Sequence, residues 1–146
     1  MALSVPGHWI WDFWFARKGD EWHIFFLRAP RSLLDPDLRH RNATIGHARS
    51  TDLRTWELLP DPFRLGKVGE WDDLALWTGS CVWSGEDWWM FYTGVSTADE
   101  GRIQRIGAAT SSDLLVWEKV ANNPLIAADP RWYEIYDPSV WYEEAW

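Results

Sequence analysis

One carboxylate, Asp12, stands inside the aromatic run Trp9-Ile10-Trp11-Asp12-Phe13-Trp14-Phe15. Burying an unpaired charge is expensive, so an acid held there must be paired, solvated by a ligand pocket or shifted in pKa. Rings around a carboxylate suit sugars: their C–H faces stack on the aromatic surface while their hydroxyls take the polar contacts. A structural aspartate propped at a strand end is the competing reading. Other chemistries find no support. His8, His23, His40 and His47 are scattered, Cys81 is alone, and no Gly-x-Ser-x-Gly elbow, phosphate-cradling glycine loop or His-Glu-x-x-His helix is present. Neither a metal nor a cofactor is expected.

The elements that position Asp12 show themselves through an internal repeat. The segment from Ile45 through Gly46, Ser50, Asp52, Leu53 and Trp56 to Glu57 recurs from Ile106 through Gly107, Ser111, Asp113, Leu114 and Trp117 to Glu118. Upstream, Gly19-Asp20-Glu21-Trp22 matches Gly85-Glu86-Asp87-Trp88, and Trp11-Asp12 matches Trp77-Thr78. Each unit reads as an inner strand, a glycine turn, an aromatic strand, a variable loop, a third strand, a Ser-x-Asp-Leu turn and a fourth strand. Four antiparallel strands in about 60 residues describe a β-propeller blade, with a plain β-sandwich as the alternative. The expectation is an all-β partial β-propeller: blade 1 over residues 1–66, blade 2 over 67–130, and the first strand of a third blade over 131–146. Tyr136-Asp137-Pro138 then aligns with the inner strands, so Asp12, Thr78 and Asp137 point at one axis. Gly69-Glu70-Trp71-Asp72-Asp73 reads as a loop. Most tryptophans, among them Trp22, Trp56, Trp88, Trp89 and Trp117, fall on repeat positions and read as blade packing, as does His47, which stands where the second copy has Ala108. The loop from Leu27 to Thr44 carries Arg28, Arg31, Arg39, His40 and Arg41 and reads as the specificity element.

Composition sets the outer limits. With 146 residues the chain fits one domain with a real core, and 14 tryptophans dominate it. A formal charge of -8 argues against nucleic acid and anionic membrane surfaces, and favours a neutral or cationic small molecule. The lone cysteine excludes an internal disulfide. Met1–Pro6 lacks a basic n-region and no long apolar run follows, so a cytoplasmic location is expected. Two blades and a strand leave aromatic faces and strand edges open, which points either to a longer protein or to a homo-oligomer that covers them.

These motifs resemble the five-bladed propeller glycoside hydrolases, the superfamily of invertase-, levansucrase- and arabinanase-like enzymes (families 32, 43 and 68), and specifically their N-terminal half. Trp11-Asp12-Phe13-Trp14 is similar to the first-blade motif whose aspartate is nucleophile in retaining members and general base in inverting ones. Trp77-Thr78-Gly79-Ser80 is similar to the second-blade motif lining the sugar site. Gly46-His47-Ala48 with Ser50-x-Asp52-Leu53-x-x-Trp56 is similar to the invertase-like blade signature. Tyr136-Asp137-Pro138 takes the place of an Arg-Asp-Pro motif whose aspartate grips sugar hydroxyls, with tyrosine where the family has arginine. The resemblance implies Asp12 and Asp137 as catalytic residues, and Trp11, Trp14, Trp77, Thr78, Ser80, Arg39 and His40 as substrate-binding ones. Glycosidic cleavage also needs an acid on the leaving oxygen. The family's fourth-blade glutamate has no counterpart here, and Glu134, Glu143 and Glu144 read as solvated. A lone chain is therefore expected to be inactive or weak on furanosides. A non-catalytic sugar-binding module and a self-assembling half-propeller are the alternatives.

Overall fold

The computed structural model describes residues 3–127 and 135–141. Two four-stranded antiparallel sheets make up the chain, each with its strands in sequence order. The first contains β1 (His8–Lys18), β2 (Glu21–Pro30), β3 (Thr44–Ser50) and β4 (Glu57–Leu59). The second contains β5 (Ala75–Trp83), β6 (Trp88–Val95), β7 (Gln104–Ser111) and β8 (Glu118–Lys119). This is an all-β partial β-propeller of two blades. Residues 135–141, where a third blade is expected to open, carry no assigned strand; Glu134, Glu143 and Glu144 lie outside the described residues.

Local chemistry explains the meander. β1 turns into β2 through Gly19 and Asp20, with Lys18 opposite Glu21, and Gly19 supplies the positive φ of 59° that a two-residue hairpin requires. The Ser-x-Asp-Leu turns share one set of side-chain-to-amide hydrogen bonds in both blades. Ser50 Oγ accepts from the Asp52 and Leu53 amides at 3.1 and 2.9 Å, and Asp52 Oδ1 accepts from the Arg54 and Thr55 amides at 2.8 and 2.7 Å. Ser111 and Asp113 repeat the arrangement with Leu114, Leu115 and Val116. Those backbone donors hold both carboxyls below their usual range.

One core joins the blades. Trp14, Phe25, Leu27 and Ile45 of the first sheet interlock with Leu76, Met90, Tyr92, Leu114 and Trp117 of the second. Trp14 stacks on Phe25 at 6.0 Å, and Phe25 on His47 at 4.4 Å. His47 is a packing residue as expected: it is buried, and His23 Nδ1 lies 2.9 Å from its Nε2. The acidic stretch before β5 is a loop, also as expected. Within it Trp71 lies flat against the sheet, where a Cβ on Gly107 would come within 2.4 Å of its ring. Buried Asp72 ties the loop down by accepting from Tyr92 OH at 2.9 Å and Lys119 Nζ at 2.5 Å.

Candidate active site

Two β-bulges build the site. In β1, Trp11 faces Leu27 and Phe13 faces Phe26, which leaves Asp12 as the extra residue. In β5, Trp77 faces Thr93 and Gly79 faces Tyr92, which leaves Thr78 extra. A bulge breaks the ladder at one residue and re-aims its side chain. Asp12 takes a φ of 37°, in the left-handed region that Asp tolerates better than most residues. As a result the two bulged side chains face each other across the blades, and Thr78 Oγ1 donates to Asp12 Oδ2 at 3.1 Å.

Asp137 completes the group from a third segment. Its backbone amide donates to the buried Thr93 Oγ1 at 3.0 Å, and its φ of 53° repeats the left-handed conformation of Asp12. Burial raises the Asp137 carboxyl above the ordinary aspartate value; a hydrogen bond with the Thr78 side chain lowers it, and the charge of Asp12 raises it again. Asp12, Thr78 and Asp137 line one cavity of about 330 Å³. Its far wall is Trp77 and His40, and Leu27, Gln104 and Tyr136 close the rest.

The loop between β2 and β3 reaches this wall through a 3₁₀ helix, Pro36–Asn42, which Asp35 caps by accepting from the Asp37 amide. Trp77 Nε1 donates to the His40 carbonyl at 2.8 Å. The His40 ring meets Trp11 edge-on at 5.7 Å, and the Arg39 guanidinium lies over the Trp11 ring at 5.7 Å. The loop between β2 and β3 is therefore seated on the two tryptophans that precede the bulges.

The structure brings together Asp12, Asp137, Thr78, Trp77 and His40, with Trp11 and Arg39 one layer behind. Trp14 stands apart from this group. It is 7% exposed and belongs to the core between the sheets, because the extra residue at Asp12 puts Trp14 on the same face as Trp11. Ser80 is displaced from the cavity for the same reason, and its Oγ is buried with no hydrogen-bond partner among the described residues. Gln104 and Thr93 escaped the sequence reading. Their signal lay in the repeat: Gln104 stands where the first copy has Ala43, and Thr93 where it has Leu27. Among the described residues no group of three or more His, Cys, Asp or Glu is placed to hold a metal ion.

Residues 9–146 match the model of the glycosyl hydrolases family 32 N-terminal domain. Over 107 residues the chain is 36% identical to the bifunctional 6(G)-fructosyltransferase/2,1-fructan:2,1-fructan 1-fructosyltransferase of Allium cepa, covering 69% of this chain and 17% of that protein. Over 113 residues it is 34% identical to acid beta-fructofuranosidase AIV-18 of Capsicum annuum, covering 75% of this chain and 16% of that protein. The solved GH32 beta-fructofuranosidase BmSUC1 of Bombyx mori superposes with a TM-score of 0.75 at 26% identity, over 98% of this chain and 29% of that one. A mutant of the same silkworm enzyme is solved in complex with sucrose. The chain thus spans 17% and 16% of the length of the curated relatives it matches. Two propeller blades, paired bulges carrying Asp12 and Thr78, and a match running from Trp9 through Trp146 place the chain in the glycosyl hydrolases family 32 N-terminal domain family.

Proposed function

We propose that the cavity between the blades binds the furanose ring of a fructosyl-type substrate, and that Asp12 is the carboxylate that attacks the anomeric carbon or activates water against it. Asp137 grips hydroxyls of the same ring. The observation that supports this reading is convergence: polar residues from β1, β5 and the 135–141 segment meet in one cavity whose wall is the Trp77 ring. In this reading the ring of Trp77 takes the apolar face of the sugar, as an aromatic platform does for C–H surfaces. His40 and Arg39, held against Trp11 and Trp77, select the group joined to the furanose. The names of the relatives, two fructofuranosidases and a fructosyltransferase, agree with this substrate class.

The test is release of an aryl alcohol from an activated fructofuranoside by the full-length protein. An activated leaving group lessens the demand for an acid, so the assay reads the carboxylate that attacks. Asp12→Asn should cut the rate by roughly a hundredfold or more while leaving fructose binding, read from tryptophan fluorescence, in place. Activity that survives the change would remove Asp12 from the chemistry. Binding without turnover in the unmodified protein would favour the sugar-binding reading, which the Trp77 wall also supports.

A further inference from the structure

Thr93 places a buried hydroxyl in an apolar row. In the ladder of the second blade it stands between Trp77 on β5 and Ile106 on β7, and residues directly opposite in an antiparallel pair share one face. Val95, two residues on and therefore on that face too, is fully buried, as is Thr93 itself. A hydroxyl there costs stability unless it is hydrogen-bonded. Its Oγ1 accepts from the Asp137 amide at 3.0 Å. The first blade carries Leu27 at the corresponding place, opposite Trp11, and that side chain packs in the core. There the next inner strand is tied on by a backbone bond instead, from the Leu76 amide to the Ala43 carbonyl at 3.0 Å.

Asp137 needs such a hold. Its φ of 53° is left-handed, a conformation that an L residue adopts at a cost and keeps only where its surroundings fix it. Residues 135–141 lie in no strand that could do so. Thr93 has the rigidity for the task, since a β-branched side chain is stiff at χ1 and this one sits inside β6 with a strand paired on either side. It also stands opposite Trp77, the residue before the bulge at Thr78, so one strand pair sets both the Trp77 wall and the entry of Asp137. We propose that Thr93 is a positioning residue: through the Asp137 amide it fixes where the Asp137 side chain enters the cavity. The bond is independent of any substrate, while its use on a sugar rests on the fructosyl reading above, in which Asp137 grips ring hydroxyls.

The experiment is amide hydrogen exchange of the full-length protein labelled with ¹⁵N-aspartate, followed by NMR, with Asp137→Asn identifying the Asp137 signal by its loss. Thr93→Val removes the acceptor at nearly the same volume and should speed exchange at Asp137 by about tenfold. Thr93→Ser keeps the hydroxyl and should leave that amide slow. The Asp72 and Asp113 amides should be unmoved in both variants, which a merely structural role would not allow. Fructose affinity, read from tryptophan fluorescence, should fall about tenfold in Thr93→Val and recover in Thr93→Ser. An Asp137 amide that is unprotected in the unmodified protein, or no faster in Thr93→Val, overturns the proposal. Exchange that quickens equally at Asp72 and Asp113 overturns it too, as does an affinity that Thr93→Val leaves unchanged. Should Thr93→Val not fold by circular dichroism, Thr93→Ala removes the same acceptor and carries the same expectations. A protein that binds no fructose at all would remove the fructosyl reading, and the amide measurement would still decide whether Thr93 holds Asp137.

Discussion

The His23–His47 pair turns packing into pH dependence. Burial drives His47 down to about 3, with His23 adding to the effect, and burial lowers His23 as well. Unfolded imidazoles titrate near 6.5, so between about pH 6.5 and about pH 3 the unfolded chain binds protons that the folded chain refuses. Stability should be complete above that window and fall as the pH drops through it, by an amount on the order of a few kcal/mol. Replacing His47 by alanine, the residue that the second blade carries at Ala108, should cost stability at neutral pH and flatten the acid limb. Urea midpoints collected across the window check this; an unchanged slope would mean that the pair is not what the acid limb reports. Asp12 is a different case. The aromatic run around it was legible as an odd setting for a carboxylate, but its direction depended on a bulge that no residue type announces.

At the scale of elements, the two Ser-x-Asp-Leu turns form an internal control. Leu53 and Leu114 share a motif, a left-handed backbone and the same hydrogen bonds, yet Leu53 is 47% exposed and Leu114 is fully buried. The second blade lays this position against the first, whereas in the first blade it stays about half exposed. Leu114→Ala should therefore cost about 2–5 kcal/mol, and Leu53→Ala well under about 1 kcal/mol, measured by urea unfolding. Strand order, turns and hairpins were all legible from the repeat, because turn chemistry and aromatic strands recur in register. The fate of each copy was not, since it depends on which face meets a neighbour. The same limit explains Trp14 and Ser80. Simple alternation from Asp12 and from Thr78 puts both in the cavity, and the single extra residue of each bulge carries them to the opposite face.

For the molecule as a whole, the shared core predicts that the blades stand or fall together. Trp14 contacts residues of its own sheet and belongs to the cluster that the second sheet completes. Trp14→Ala should cost about 3–5 kcal/mol and lower the unfolding midpoint of both sheets equally, read by amide exchange at Phe25 in β2 and Met90 in β6. Separate midpoints would show that the blades are independent. The paired bulges carry a further consequence. The residue at each one lies outside the ladder and off both packed faces of its sheet, so its identity is constrained by neither pairing nor core volume. Each blade thus holds one position where chemistry can be exchanged without rebuilding the scaffold. Asp12 and Thr78 are two settings of that position, facing one cavity with Asp137, and point substitution can rewrite them one blade at a time.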